Sequence, residues 1–235
     1  YILESLMPRI DGIIALCDWH KKFLLETYDV DPKKIFILGN AIDANLFNEN
    51  ITKEKNRFIY TSMANRGLDK LIEYFHEIKK KLTDAHLYIY RGKEDFTDQM
   101  IEEMVKYDYI HYMGAVDNTA LIKEFQKSDF WFYPTNWLET YCISALEAQL
   151  AGCVCITSNI GALTTTVGNR GILLKNNLFT EEYKQEALNA VINIANNNEI
   201  KTLLQENGKE WAKLQTWENR ANEWIDVFNL TQSDV

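Results

Sequence analysis

The stretch Phe58-Ile-Tyr-Thr61-Ser-Met-Ala-Asn-Arg66-Gly67-Leu-Asp-Lys-Leu-Ile-Glu-Tyr-Phe75-His-Glu-Ile-Lys-Lys-Lys-Leu82-Thr-Asp-Ala-His-Leu87-Tyr-Ile-Tyr90 decides how the chain folds. Phe58–Thr61 is a short aromatic and β-branched run, the composition of a strand. Gly67 opens a helix in which Leu68, Leu71, Ile72, Phe75, Ile78 and Leu82 recur at three- and four-residue intervals, so they line one face. Leu87–Tyr90 reads as a second strand. A strand, a helix and a strand at this spacing make a parallel crossover, because parallel neighbours cannot be joined by a tight turn.

The same alternation extends in both directions. Downstream the spacing predicts a helix over Phe96–Tyr107, a strand at Tyr109–Tyr112, and a helix capped by Asp117 or Asn118 with Leu121, Ile122 and Phe125 turned inward. A strand at Phe130–Tyr133 ends at Pro134. Ile143–Ala151 is a short helix stopped by Gly152, Val154–Thr157 a strand and Ile172–Leu174 the last one. From about Thr180 the chain is mostly helical. Upstream, Ile13–Cys17 and Ile35–Leu38 read as strands around a helix from about Asp18 to Tyr28, and the polar run Asn48–Asn56 reads as a linker. The expected class is α/β: a Rossmann-like parallel sheet of about six strands with helices on both faces and a helical C-terminal tail. Such sheets bind ligands beyond the carboxyl ends of their strands, here Thr61–Gly67, Arg91–Asp95, Met113–Asn118, Pro134–Cys142 and Ser158–Val167.

Composition narrows the function. The 235 residues are 46% hydrophobic and 25% charged with 10 Gly and 3 Pro, which excludes collagenous and disordered chains. Thirty-four acids against 25 bases leave a net charge of −9 without a basic run, which argues against nucleic acids and anionic membranes as partners. Cys17, Cys142, Cys153 and Cys155 lack CxxC spacing and most sit in apolar runs, as small buried hydrophobes of a reducing compartment do. The four histidines show no metal spacing, and no metal site is expected. No apolar run has the ~20 residues of a membrane span and no signal peptide is visible, so the expected location is cytoplasmic. The chain begins at Tyr1 in mid-pattern, as a fragment would.

The densest chemistry lies in Pro134-Thr-Asn-Trp-Leu-Glu139-Thr-Tyr-Cys142-Ile-Ser-Ala-Leu-Glu147-Ala-Gln-Leu-Ala-Gly152. Glu147 falls in a helix among Ala145, Leu146, Ala148 and Leu150, where a carboxylate must find donors or be protonated. A ribose diol would supply two. Ser144-x-x-Glu147 equally fits a capping box that needs no ligand. Glu139 is either a solvated loop carboxylate or a ligand group beside the free amides of the following helix start, which suit phosphates and sugar oxygens. Arg91-Gly92-Lys93 either adds positive charge to the site or is a solvated loop.

Glu139 and Glu147 resemble the E-x7-E element of retaining GT-B glycosyltransferases, above all glycosyltransferase family 4. Leu146–Gly152 with Val154–Thr157 is similar to that family's EAMA(C)G-PVI segment. Ser158-Asn-Ile-Gly161-Ala-Leu-Thr-Thr-Thr-Val167 resembles its glycine loop, and Ile35–Phe47 its interdomain signature "vipNGiD…F". The resemblance runs from about Asp11 to about Phe228. It implies the C-terminal, donor-binding half of a GT-B fold, with residues 1–47 a remnant of the N-terminal domain plus linker, 48–215 the nucleotide-sugar-binding domain and 216–235 a C-terminal helix. The remnant, lacking its sheet, would pair with another copy or pack onto the C-terminal helices. The implied activity is retaining, metal-independent transfer of a hexose from a UDP-, GDP- or ADP-sugar to a carbohydrate, lipid or protein acceptor. No cofactor beyond the donor is implied, and this chain alone would be an incomplete enzyme. The alternative is a non-catalytic module that binds a nucleotide sugar or a protein. A dinucleotide enzyme is disfavoured, since no GxGxxG follows the first strand.

The implied roles are residue by residue. Glu139 is the catalytic-site carboxylate at the transferred sugar, and Glu147 holds the ribose. The amides of Thr140, Tyr141, Cys142 and Ile143 meet sugar and diphosphate, and the backbone at Val116 holds the base. Arg66-Gly67 stands where the family has Lys-Gly, at the diphosphate. The chain departs from the pattern in three places. Thr61-Ser-Met-Ala lacks a second basic residue, Thr140-Tyr141-Cys142 replaces Gly-Phe-Gly, and Thr164-Thr165 replaces Pro-Glu. One fewer positive charge and a narrower sugar pocket are expected.

Overall fold

The computed structural model describes residues 9–233. Strands β1 (Ile13–Ala15) and β2 (Ile35–Ile37) flank helix α1 (Asp18–Thr27). Next come β3 (Glu54–Tyr60), α2 (Leu68–Lys81), β4 (His86–Ile89), α3 (Asp98–Val105), β5 (Ile110–Tyr112), α4 (Asn118–Lys127) and β6 (Ser128–Tyr133). The chain continues through α5 (Ile143–Leu150), β7 (Val154–Ser158), the single turn α6 (Leu163–Thr166), β8 (Ile172–Leu174), α7 (Glu181–Ala195), α8 (Asn198–Ala212) and α9 (Trp217–Ser233).

Strands β3 to β8 form one six-stranded parallel sheet in the order β5-β4-β3-β6-β7-β8. Every residue of β6 and β7 is buried, so helices cover both faces of the centre. The inward face of α2 behaves as its spacing requires: Leu68, Leu71, Phe75 and Ile78 are fully buried. Phe75 meets Phe58 edge-on at 5.2 Å, and Phe58 stacks on Phe130 of the neighbouring strand at 4.6 Å. The chain leaves β3 to build β4 and β5 on one side, then returns to place β6 on the other. That reversal opens a crevice at the carboxyl ends of β3 and β6.

Among the described residues helices α7, α8 and α9 bring no further strand into the sheet. α7 docks on α2 through Tyr74 and Tyr183, whose rings are 6.0 Å apart, and the Tyr74 hydroxyl donates to the Leu178 carbonyl. Among the described residues β1 and β2 pair only with each other, in parallel. Cys17 and Ile42 then pack with Tyr141, Leu146 and Leu150 into a second small core, and Ile42 N–H donates to the Gln215 carbonyl at 2.9 Å.

Two expectations are corrected. The polar run Asn48–Asn56 is not all linker, because β3 begins at Glu54. Asn56 is buried and has a left-handed backbone (φ 54°) at a break in the β3–β6 register. Its N–H donates to Asp129 at 3.0 Å and its side-chain amide to Asp84 at 2.7 Å. The helix expected over Phe96–Tyr107 is shorter, since Thr97 caps it by accepting from Met100 N–H. All four cysteines are free thiols; Cys17, Cys153 and Cys155 are buried, whereas Cys142 is half-buried.

Candidate functional site

The two loops that border the crevice are held together by a glycine. Gly67, at φ 98°, caps α2, and a Cβ on it would lie 1.8 Å from the Pro134 carbonyl oxygen. Only glycine lets the β3–α2 loop approach the β6–α5 loop so closely. Inside the first loop the Tyr60 hydroxyl and Arg66 N–H both donate to the Met63 carbonyl, which fixes the turn ahead of Arg66. Arg66 thereby reaches Glu139, 73 residues away: its Nη1 donates to Glu139 Oε1 at 3.0 Å. The Tyr133 hydroxyl, at the end of β6, donates to the same oxygen at 2.9 Å. The Arg66 guanidinium also lies 4.5 Å over the ring of Trp137.

Glu139 is pinned from behind as well. Its carbonyl accepts from Ala162 N–H at 2.9 Å, and a Cβ on Gly161 (φ 54°) would come within 2.9 Å of that oxygen. The glycine loop after β7 therefore fixes the backbone of the carboxylate facing the crevice. Oε2 of Glu139 accepts no hydrogen bond among the described residues.

Helix α5 starts at the same place. Its N-cap is Cys142, a non-glycine residue in the left-handed region (φ 72°, ψ 80°) whose side chain caps nothing. The backbone N–H groups of Thr140, Tyr141, Cys142, Ile143 and Ser144 find no acceptor among the described residues. These residues border an open cleft of about 410 Å³ with Arg66, Arg91, Thr61, Ser62, Tyr133 and Glu139. Orphan amides, two guanidiniums and one carboxylate at a helix start can bind an anion and a hydroxyl-rich group side by side.

Of the residues singled out above, Glu139, Arg66, Thr140, Tyr141, Cys142 and Ile143 share this cleft. Tyr141 turns its ring into the second core, against Gly39, and presents its backbone. Glu147 borders a neighbouring cavity of about 210 Å³ that meets the cleft at Ile143 and is lined also by Asp43, Asn118 and Trp217. No group among the described residues donates to its carboxylate, and burial pushes its pKa up to about 7. The capping-box alternative is not formed: the left-handed turn at Cys142 starts the helix before Ser144, which lies inside it. Val116, 41% exposed in the loop between β5 and α4, borders neither cavity, although Asn118 two residues on borders that of Glu147.

In the sequence Tyr133 reads as a plain strand residue. A tyrosine in the last position of a buried strand, with a polar tip at the carboxyl edge, is the signal that would have found it. Asn40, quoted above only as part of a signature, also borders the cleft. Lys93 does not: it pairs with Asp98 at 2.9 Å on the surface. Among the described residues no group of three or more His, Cys, Asp or Glu is arranged to hold a metal ion, and no helix is long and apolar enough to cross a membrane.

Comparison with known proteins gives a consistent picture. The family described as glycosyl transferases group 1 matches residues 41–211. An uncharacterized 41.2 kDa protein in the cps region of Klebsiella pneumoniae is 26% identical over 181 residues, covering 72% of this chain and 48% of that protein. The Escherichia coli UDP-Gal:alpha-D-GlcNAc-diphosphoundecaprenol alpha-1,3-galactosyltransferase is 27% identical over 184 residues, 70% of this chain and 47% of that one. The chain thus spans about half the length of these relatives. The crystal structure of the pneumococcal O-GlcNAc transferase in complex with UDP and GlcNAc superposes with a TM-score of 0.80 at 17% identity, over 99% of this chain and 48% of that one, a likeness of fold.

Proposed function

This chain belongs to the glycosyl transferases group 1, and on that footing we propose that it is the C-terminal, donor-binding half of a retaining, family 4-like GT-B glycosyltransferase that takes a nucleotide-diphospho-sugar. The observation that carries the proposal is the convergence of Arg66, Glu139 and the unpartnered amides before α5 on one cleft at the sheet's reversal point. Arg66 and the amides would hold the diphosphate and stabilise the charge that develops on it as the glycosidic bond breaks. Glu139, steadied by Tyr133, would accept from hydroxyls of the transferred hexose. Glu147 would accept from the ribose diol, and the backbone near Val116 would border the base. Residues 1–47, 48–215 and 216–235 are assigned as N-terminal remnant with linker, donor domain and closing helix. Transfer by these 235 residues alone is expected to be poor, because much of the rate of such a reaction comes from holding an acceptor in place. Both glutamates are assigned to hydroxyls, so nucleotide binding is expected to be indifferent to EDTA.

A calorimetric screen of UDP-, GDP- and ADP-sugars tests the reading. Saturable one-to-one binding of one base class supports it, and no binding of any class overturns it.

A further inference from the structure

We infer that Arg91 is a second phosphate-binding residue of this cleft, acting beside Arg66 with the Thr61 hydroxyl between the strand ends. The inference rests on the reading of the cleft as a nucleotide-diphosphate site and names a residue from a different strand.

The sheet places it there. Tyr60 of β3 pairs with Ile89 of β4, and Tyr90 N–H donates to the Tyr60 carbonyl at 2.9 Å. Arg91 therefore leaves β4 beside Thr61, and both border the cleft. Its backbone is anchored, since the Tyr112 hydroxyl donates to the Arg91 carbonyl at 3.1 Å. Its guanidinium is oriented by one edge only: Nε donates to Asp95, while Nη1 and Nη2 form no hydrogen bond among the described residues. Asp95 borders a different cavity, on the far side of the Arg66–Gly67 turn, so it orients Arg91 without filling the cleft.

Charge gives the reason for a second cation. Arg66 is paired with Glu139 inside the cleft and Arg91 with Asp95 outside it, so each guanidinium is partly neutralised and one alone is a weak match for a diphosphate. A diphosphate carries several negative charges and is best met by planar guanidinium forks. The Arg91 fork is the second guanidinium that borders the cleft, and its two terminal nitrogens are unoccupied. Thr61 adds an independent sign: its Oγ1 is buried at the cleft wall without a partner. A buried hydroxyl is left so at a cost, which a phosphate oxygen would remove once rotation of the Thr61 side chain brings the hydroxyl to the cleft.

The test is calorimetric titration of the wild-type chain, Arg91→Gln and Arg91→Lys with UDP, GDP and ADP, and with the corresponding nucleosides, with thermal midpoints measured in parallel. Arg91→Gln is expected to weaken the bound diphosphate by about tenfold or more, the loss of a charge-assisted contact, and to leave nucleoside binding unchanged. Arg91→Lys, which keeps the charge without the fork, should fall in between and carries the test alone if the Gln variant does not fold. If both variants bind the diphosphate as tightly as wild type, Arg91 is not a phosphate ligand, while the donor-site reading stands. If the wild type binds none of the three diphosphates, the reading fails and takes the inference with it.

Discussion

At the scale of single residues, Glu147 carries two opposite demands. Burial lifts its folded pKa from 4.5 to about 7, so folding takes up a proton between those values. The sign follows directly: stability is highest below the unfolded value and declines as pH rises through about 7. Glu147→Gln is therefore expected to raise stability at pH 8 by up to about 3 kcal/mol and to change little at pH 4. Denaturant midpoints at the two pH values measure it. Ribose hydroxyls would donate to the ionised form, so nucleotide affinity should move the other way. It should rise with pH through about 7, and the Gln variant should lose roughly 1.5–3 kcal/mol of it. A variant no more stable than the wild type at either pH, with unchanged affinity, contradicts both assignments.

Arg66 and Glu139 show what a sequence hides at this scale. Each can be picked out as a cation or carboxylate after a strand end, but their salt bridge joins residues 73 apart and depends on the Gly67–Pro134 contact. Tyr133, which completes the site, looks like one more aromatic of a buried strand until its hydroxyl is seen on Glu139. Local spacing carries no sign of such contacts, because they arise where two loops from adjacent strands converge.

At the scale of elements, the entry to α5 stores strain at the site. Cys142 occupies the left-handed region at φ 72°, where a side chain costs on the order of 1 kcal/mol or more and glycine costs nothing of the kind. The same turn carries the amides from Thr140 to Ser144, which border the cleft and have no acceptor among the described residues. Cys142→Gly is expected to stabilise the fold by about 1 kcal/mol while keeping nucleotide binding, read as a rise in thermal midpoint. A fall in the midpoint would mean that the thiol's packing outweighs the backbone term. Gly67→Ala should do the reverse, since its Cβ would collide with the Pro134 backbone at 1.8 Å in a conformation already unfavourable for a side chain. It is expected to lower stability by several kcal/mol and to separate Arg66 from Glu139. An unaltered midpoint in Gly67→Ala would show that the two loops are not braced as described.

Periodicity made most elements legible. α2 could be placed from its apolar stripe, and β6 and β7 from continuous apolar runs, because these depend on local spacing alone. The first half of β3 was not, and the reason is physical. Glu54 and Asn56 fall in the linker-like run and Arg57 just after it, yet Arg57 is buried, with Nη1 donating to Glu54 at 2.7 Å and Nη2 to the Glu124 carboxylate and, at 3.1 Å, to the Tyr90 hydroxyl. Polar residues satisfied by distant partners mimic loop composition.

At the scale of the whole molecule, the strand order β5-β4-β3-β6-β7-β8 makes the reversal between β3 and β6 the place where a cleft must open. The Arg66 turn, the Glu139 loop, the glycine loop and the start of α5 all meet there, while Arg91 arrives from β4. The segment from β1 to Ile42 closes the back of the site, through Cys17 against the Thr140 carbonyl and Ile42 against Gln215. The cleft at Arg66 and Glu139 is proposed to receive the diphosphate of a nucleotide donor. The measurement that reaches it most directly is calorimetric binding of a nucleoside diphosphate and its parent nucleoside to the wild-type chain and to Arg66→Ala. The expected result is a loss of about tenfold or more for the diphosphate, shrinking as salt is raised, with the nucleoside unaffected. Equal losses for the two ligands, or none for either, would contradict it.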